Sequence, residues 1–550
     1  MKLNRLLPLW GLLGGACLLP ACQQYSTEKM EATDVTRRAA VPPAPDADLA
    51  EAPATPDPRA ADSTFGNREN YAVLHENPFL AAARNPLSTF AIDVDRASYA
   101  NVRRFLTQNR QLPPPDAVRL EELINYFPYN YPQPRTGPAS LNAEVAACPW
   151  NPAHQLVLVG VQGKQVATEN LPPANMVFLL DVSGSMNDPD KLPLLKESLR
   201  LLVRESLRPQ DYVALVVYAG AAGVVLPPTS GAEPETILRA LDGLEAGGST
   251  AGGEGLRLAY QLARQHQRPG GNNRIILATD GDFNVGEQSD ADMERLITKE
   301  RESGVFLSVL GFGAGNLQDS KMELLADKGN GNYAYIDQLS EARRVLVQQF
   351  GGTLFTLAKD VKVQVEFNPA LVREYRLLGY ENRLLAAEDF NDDRKDAGEL
   401  GTGQQVTALY EVVPVGAPAT GTSSVDALKY QVPARAASAS PELLTVKLRY
   451  QEPQGSASQL LTLPVRGVRL GEPIAQASEN LRWAAAVAQF GLLLRGSRYA
   501  GAATWASTNE LARTTGGPDV DGGRAEFRAL VQQAAALGRE NYQQPGSAGE

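Results

Sequence analysis

Three cysteines and three histidines in 550 residues are too few for a disulfide framework, a thiolate cluster or a histidine-built zinc site. Positive charge is also in short supply, since 52 Lys and Arg stand against 63 Asp and Glu for a net charge of -11. That balance excludes a phosphate-backbone binder, and nucleic acid is not an expected partner. Disorder over the whole chain is excluded as well, because 43% hydrophobic and 21% charged residues are ordinary for globular protein. The length points to about three to four domains.

The N-terminus reads as an export signal over residues 1–22: Lys2 and Arg5, an apolar stretch from Leu6 to Leu19, then a small-residue exit. Leu19-Pro20-Ala21-Cys22 resembles the bacterial lipobox, which implies lipidation at Cys22 and a mature chain beginning there. An ordinary secretory signal is the plainer alternative. Lipidation implies a cell-envelope protein held on a membrane without spanning it. Gln23, in place of Asp after the cysteine, resembles an outer-membrane sorting choice in a cell with two membranes. Cys148 would then be the one remaining cysteine, and no internal disulfide is expected. Residues 23–76 carry Pro42, Pro43, Pro45, Pro53, Pro56 and Pro58 among Ala and Asp, too polar a composition to offset ordering entropy. They read as a disordered tether with a reach of about 35 to 45 Å.

Folded sequence is expected from about Phe79. The stretch Thr89 to Asp95 reads as a strand, Ser98 to Gln108 as a helix, and Leu120, Ile124 and Phe127 as a second helix, giving a small α+β segment over 79–165. From Asn175 the pattern changes. Met176-Val177-Phe178-Leu179-Leu180 is a continuous apolar run, as a strand buried on both faces requires, and Val213 to Val217, Ile275 to Ala278 and Val305 to Leu310 repeat it. Helical patterns separate these runs, the last from Ala342 to Phe350. The alternation predicts an α/β domain over 172–352 with a doubly wound, mainly parallel sheet, whose ligands collect at the carboxyl ends of the strands.

Beyond Gly352 the period falls to two, in Val361, Val363, Val365 and Phe367 and again in Leu444, Val446, Leu448 and Tyr450. A β-rich domain over 359–545 is expected, closing on amphipathic helices near Ser478 to Leu494 and Arg524 to Leu537, neither apolar enough to span a bilayer. Because β-type sequence brackets the α/β block, Asn142 to Val161 is expected to join the later strands. The α/β domain would then be inserted into a split β-sandwich.

Three motifs carry the chemistry. Leu180-Asp181-Val182-Ser183-Gly184-Ser185-Met186 ends the first buried run, Gly247-Gly248-Ser249-Thr250-Ala251-Gly252-Gly253 precedes a helix, and Thr279-Asp280-Gly281 ends a later strand. Together they resemble the von Willebrand factor type A (VWA) domain and its metal-ion-dependent adhesion site, Asp-x-Ser-x-Ser with a distant Thr and Asp. The resemblance implies a metal site of Asp181, Ser183, Ser185, Thr250 and Asp280. The stretches Phe90 to Tyr99, Gly329 to Asp337 and Glu388 to Asp393 further resemble YfbK-type bacterial VWA lipoproteins, which combine a VWA-associated N-terminal segment, a central VWA domain and a C-terminal domain.

Hard oxygen donors suit Mg2+ or Mn2+ ahead of Ca2+. In the family's ligand-ready state the hydroxyls bind the ion directly and the carboxylates act through water. That implies a vacant position for an Asp or Glu of a protein partner, hence a non-enzymatic adhesion or assembly module. The alternatives are helix capping by the same residues, a serine hydrolase using Ser183 or Ser185, and an envelope scaffold with a purely structural cation. His75, His154 and His266 fall outside the motif, and no Gly-x-Ser-x-Gly surrounds Ser183. Among weaker patterns, Asp389, Asn391 and Asp393 mimic a calcium loop but read as a solvated turn, because Arg394 takes the glycine position. Asp93 and Asp95, at a strand end, read as caps of the helix that follows them, with cation binding as the alternative.

Overall fold

The computed structural model describes residues 68–543 apart from 250–251, 282–289, 350, 353–354, 396, 421–439, 454, 456, 468–470, 518 and 520. The export signal, Cys22, Thr250 and most of the tether lie outside the described residues. The first described residues are docked, which moves the end of the tether back from Glu76. Glu69 receives two hydrogen bonds from the Arg104 guanidinium at 2.8 and 2.9 Å, and Arg68 and Asn70 donate backbone N–H groups to Gly315 and Leu317. Arg104 is 1% exposed, and a guanidinium so placed needs a carboxylate.

In chain order the N-terminal segment contributes β1 (Leu80–Ala81), β2 (Leu87–Ala91), α1 (Ala97–Thr107), α2 (Leu120–Asn125), β3 (Ala139–Cys148) and β4 (Asn151–Gly163). The α/β block follows with β5 (Ala174–Asp181), α3 (Leu192–Glu205), β6 (Tyr212–Tyr218), β7 (Ala222–Ser230), α4 (Pro234–Asp242), α5 (Gly252–Gln265) and β8 (Asn272–Thr279). It continues through α6 (Asp290–Arg301), β9 (Phe306–Phe312), α7 (Asp319–Lys328), β10 (Tyr333–Ile336) and α8 (Leu339–Arg343). The rest comprises β11 (Thr356–Phe367), β12 (Val372–Leu378), β13 (Leu384–Leu385), β14 (Leu400–Gly401), β15 (Gln405–Pro414), β16 (Glu442–Gln451) and β17 (Ser458–Arg466). Three helices end it: α9 (Glu479–Arg495), α10 (Trp505–Thr514) and α11 (Gly523–Gln543).

The central sheet has the order β10-β9-β8-β5-β6-β7, parallel except for the antiparallel edge strand β7. Every residue of β5 and β8 is buried, including Asn272, Asn273 and Arg274 ahead of the apolar run of β8, because helices cover both faces of the sheet. Each Leu, Val or Phe side chain so removed from water contributes about 1.5–3 kcal/mol. One face packs on α3 and α4 through Leu195, Leu199, Ile237 and Leu241, and the other on α5, α6 and α7 through Leu256, Tyr260, Ile297 and Met322. After β5 the chain crosses to β6 on one side and later returns to β8 on the other, so the crevice between the carboxyl ends of β5 and β8 is a topological switch point.

The split sandwich is present. One sheet runs β1-β12-β15-β4-β3 and the other β13-β2-β11-β16-β17, so strands from before the α/β block pair with strands from after it. Val159 of β4 lies opposite Ala408 of β15, and Phe90 of β2 opposite Val363 of β11. The period-two residues Val361, Val363, Val365 and Phe367 all point into the shared core. Against the outer face of the first sheet pack α2 and the C-terminal helices, around Trp483, Phe490 and Phe527. The Ser478 side chain caps α9 by accepting from Leu481 N at 3.2 Å, and left-handed Gly496 ends it. The helix expected from Ala342 to Phe350 starts earlier, at Leu339, and after α8 widens into a π-helix over Arg344–Gln348, while Phe350 lies outside the described residues.

Candidate metal centre

The site lies at that switch point. Asp181 is the last residue of β5 and fully buried, so its carboxylate is held by fixed donors. Oδ1 accepts from Ser183 N at 2.9 Å, while Oδ2 accepts from Tyr218 Oη at 3.0 Å and Thr279 Oγ1 at 3.2 Å. Ser183 opens a single helical turn, Gly184–Asn187, which carries Ser185 to the exposed rim. The Ser183 and Ser185 hydroxyl oxygens stand 3.1 Å apart.

Asp280, the residue after β8, is also fully buried. Its Oδ2 accepts from Lys191 Nζ at 3.0 Å. Burial raises Asp280, but hydrogen bonds from Asn316, Lys191 and Ser185 outweigh it and hold the carboxyl below its usual range. Asp181 goes the other way: burial and the neighbouring charge of Asp280 raise it despite the donors around it. A buried carboxylate held above its ordinary range is a place where a cation is stabilising.

The loop that leads to Thr250 is tied to the same spot, since Gly247 N donates to Val182 O at 2.7 Å and Gly184 N to Gly248 O at 3.1 Å. Gly248 has φ +83, and a Cβ there would meet Gly220 N at 3.2 Å, so this approach requires glycine. Four of the five expected ligands, Asp181, Ser183, Ser185 and Asp280, are therefore brought together, and Thr250 follows directly on the anchored loop outside the described residues. The donor set fits a hard dication: it is all oxygen, and the hydroxyl pair matches an octahedral edge of about 3.0 Å for ligands near 2.1 Å. Sequence reasoning missed Lys191, Tyr218, Thr279 and Asn316. Of these, only Thr279 carried a signal, as the residue beside Asp280 in the same strand-end motif.

The weaker patterns resolve differently. Asp95 does not cap α1: its Oδ1 accepts from Tyr333 N at 2.7 Å and its Oδ2 from Arg383 at 3.1 Å, while Asp93 faces the same Arg383 at 3.7 Å. The α1 N-terminus is served by Glu122, which accepts from Ser98 N at 2.8 Å. Tertiary ion pairing wins over local capping because the Arg383 side chain is only 11% exposed and needs its carboxylates. Asp95, Glu122 and Glu323 approach within 4.8 Å of one another, but Arg119 and Arg383 stand among them, making a buried ion-pair network. Asp389 and Asp393 serve turn and strand contacts, to Ala386 N and to Arg449 and Ser458 respectively. His154 belongs to the sandwich, hydrogen-bonded to Glu411 at 2.5 Å.

Comparison with known proteins agrees with this fold. The family model described as von Willebrand factor type A domain matches residues 175–349, one described as von Willebrand factor matches 65–158, and one described as "Uncharacterized protein YfbK, C-terminal" matches 352–537. The fold and the matches define a VWA-domain protein. The "Uncharacterized protein YfbK" of Escherichia coli (strain K12) is 44% identical over 472 residues, 84% of this chain and 80% of that one. The chain belongs to the YfbK family of VWA-domain proteins. Inter-alpha-trypsin inhibitor heavy chain H3 of Pongo abelii is 30% identical over 264 residues, 45% of this chain and 30% of that one. Among solved structures, the von Willebrand factor type A protein from Catenulispora acidiphila aligns with a TM-score of 0.39 at 18% identity, over 75% of this chain and 90% of that one.

Proposed function

We propose that the chain is a membrane-anchored, metal-dependent protein-binding module of the cell envelope. The observation that carries this reading is the convergence of Asp181, Ser183, Ser185 and Asp280 at the open end of the sheet, with Ser185 exposed. Thr250 is assigned as the fifth ligand from its motif. A bound Mg2+ or Mn2+ supplies Lewis acidity toward an oxygen ligand from outside. The chain's own residues do the preparation: Asp181 orients the Ser183 backbone, Tyr218 and Thr279 fix Asp181, and Asn316 and Lys191 fix Asp280. A carboxylate of a partner protein is the ligand such a site favours. The serine-hydrolase reading lacks support, because the described contacts of Ser183 and Ser185 include no imidazole and His154 is engaged with Glu411.

Capture of envelope proteins on the immobilised full chain is the direct test. Partners should bind in Mg2+ and elute with EDTA, and a capture profile indifferent to EDTA would leave only a structural role for the cation. Anchoring through Cys22 is part of the proposal and supported by the lipobox-like sequence. Metabolic labelling with a fatty-acid analogue should mark the chain and disappear in Cys22→Ser. Labelling that survives the substitution would refute the anchor.

A further inference from the structure

The metal centre contains a built-in cation. Lys191 precedes α3, is 5% exposed, and places Nζ 3.0 Å from Asp280 Oδ2 and 3.3 Å from Asn316 Oδ1. Among the described residues its other ion-pair carboxylate, Asp188, is exposed and 3.9 Å away. The lysine is there by construction. Gly313 has φ +74, and a Cβ on it would lie 2.4 Å from Lys191 Cε and 2.5 Å from Cγ, so the missing side chain is the channel in which the lysine stem runs. The Gly313 carbonyl is pinned in turn by the Tyr335 hydroxyl at 2.8 Å. A buried ammonium with two oxygen acceptors and a fitted stem is held rigidly, and its charge acts on whatever binds beside Asp280.

We propose that Lys191 is a charge-setting residue of the metal centre, which weakens dication binding in the absence of a partner and makes the loaded site selective for an anionic ligand. The inference rests on the metal-site reading above. Among the described buried residues, two carboxylates and one ammonium give the centre a single net negative charge. With a dication added, the centre carries one net positive charge, which a single external carboxylate offsets. Without Lys191 the loaded centre would be neutral, the dication would be held more tightly, and the electrostatic reason to recruit an acidic partner would go. Like charges a few ångström apart in a partly desolvated site interact strongly, so the effect on affinity should be measurable.

The test is Mn2+ binding to the full chain without any partner, read by titration calorimetry for wild type, Lys191→Met, Lys191→Gln, Lys191→Arg and Asp181→Ala. The neutral substitutions should tighten Mn2+ binding by about tenfold, and arginine, which keeps the charge, should leave it close to wild type. Unchanged or weaker Mn2+ binding in folded Lys191→Met and Lys191→Gln would overturn the proposal while leaving the metal site intact. Equal binding by wild type and Asp181→Ala, or no binding by any variant, would overturn the metal-site reading itself, and the Lys191 proposal with it. Should both neutral variants fail to fold by circular dichroism, the lysine is a structural element and the proposal is likewise overturned.

Discussion

Asp181→Ala is expected to abolish Mg2+ and Mn2+ binding to the full chain, weakening it by more than about 100-fold. The substitution removes one of the two buried carboxylates and also releases the Ser183 backbone that its Oδ1 holds at 2.9 Å. Two donors, Tyr218 and Thr279, are left without their acceptor. The measurement is the thermal midpoint with and without millimolar Mg2+: wild type should shift upward as ligand binds the native state, and the variant should not. Because the carboxyl is held above its ordinary range by burial, Asp181→Asn should lose the Mg2+ shift with little change in the metal-free midpoint. A variant that keeps the wild-type shift would place the ion elsewhere.

Arg119→Met should lower stability by about 3–5 kcal/mol, the usual cost of orphaning charges in a buried network. Arg119 is 1% exposed and meets Asp319, Glu122 at 3.2 Å and Glu323 at 3.0 Å, joining the N-terminal segment to α7 of the VWA domain. The deficit should grow with pH. Burial pushes Glu122 up to about 8, with Glu323, Glu121 and Asp319 adding to the rise and Arg119 opposing it, and burial likewise raises Asp319. A carboxyl whose folded-state pKa is raised binds protons more tightly in the folded protein. Its contribution is fully present below about 4.5 and is lost as pH climbs toward about 8. Removing the guanidinium strengthens that dependence. Midpoints at pH 5.5 and 8 should therefore diverge more in Arg119→Met than in wild type, and an equal difference between the two proteins would refute the account.

The strands and their faces were legible because burial writes itself into period. The runs around Phe178, Leu215 and Ile276 are apolar throughout, and the one around Val309 is interrupted by Ser308 alone, since helices cover both sides of their sheet. The alternation through Val363 and Leu448 reports a strand with one face on the sandwich core. Helix limits were legible where a cap or a left-handed glycine marked them, as Ser478 and Gly496 do for α9. The short helix α4, which has no side-chain cap, is not foreseen, and neither is α10, although Thr504 caps it by accepting from Ser507 N at 3.0 Å. The edge of the tether was also misplaced, because the residues that dock it, Glu69 and Tyr71, look polar until Arg104 is seen beneath them.

By itself the sequence determined which side chains end the central strands, and so which oxygens stand at the switch point, because strand period and motif spacing are both local properties of the chain. Only the tertiary structure decided what surrounds them. Tyr218 reaches Asp181 across 37 residues, Lys191 reaches Asp280 across 89, and Arg119 finds Asp319 across 200. Partners that far apart leave no periodic trace. Their pairing follows from the cost of burying charge, which arises only once packing has taken the water away.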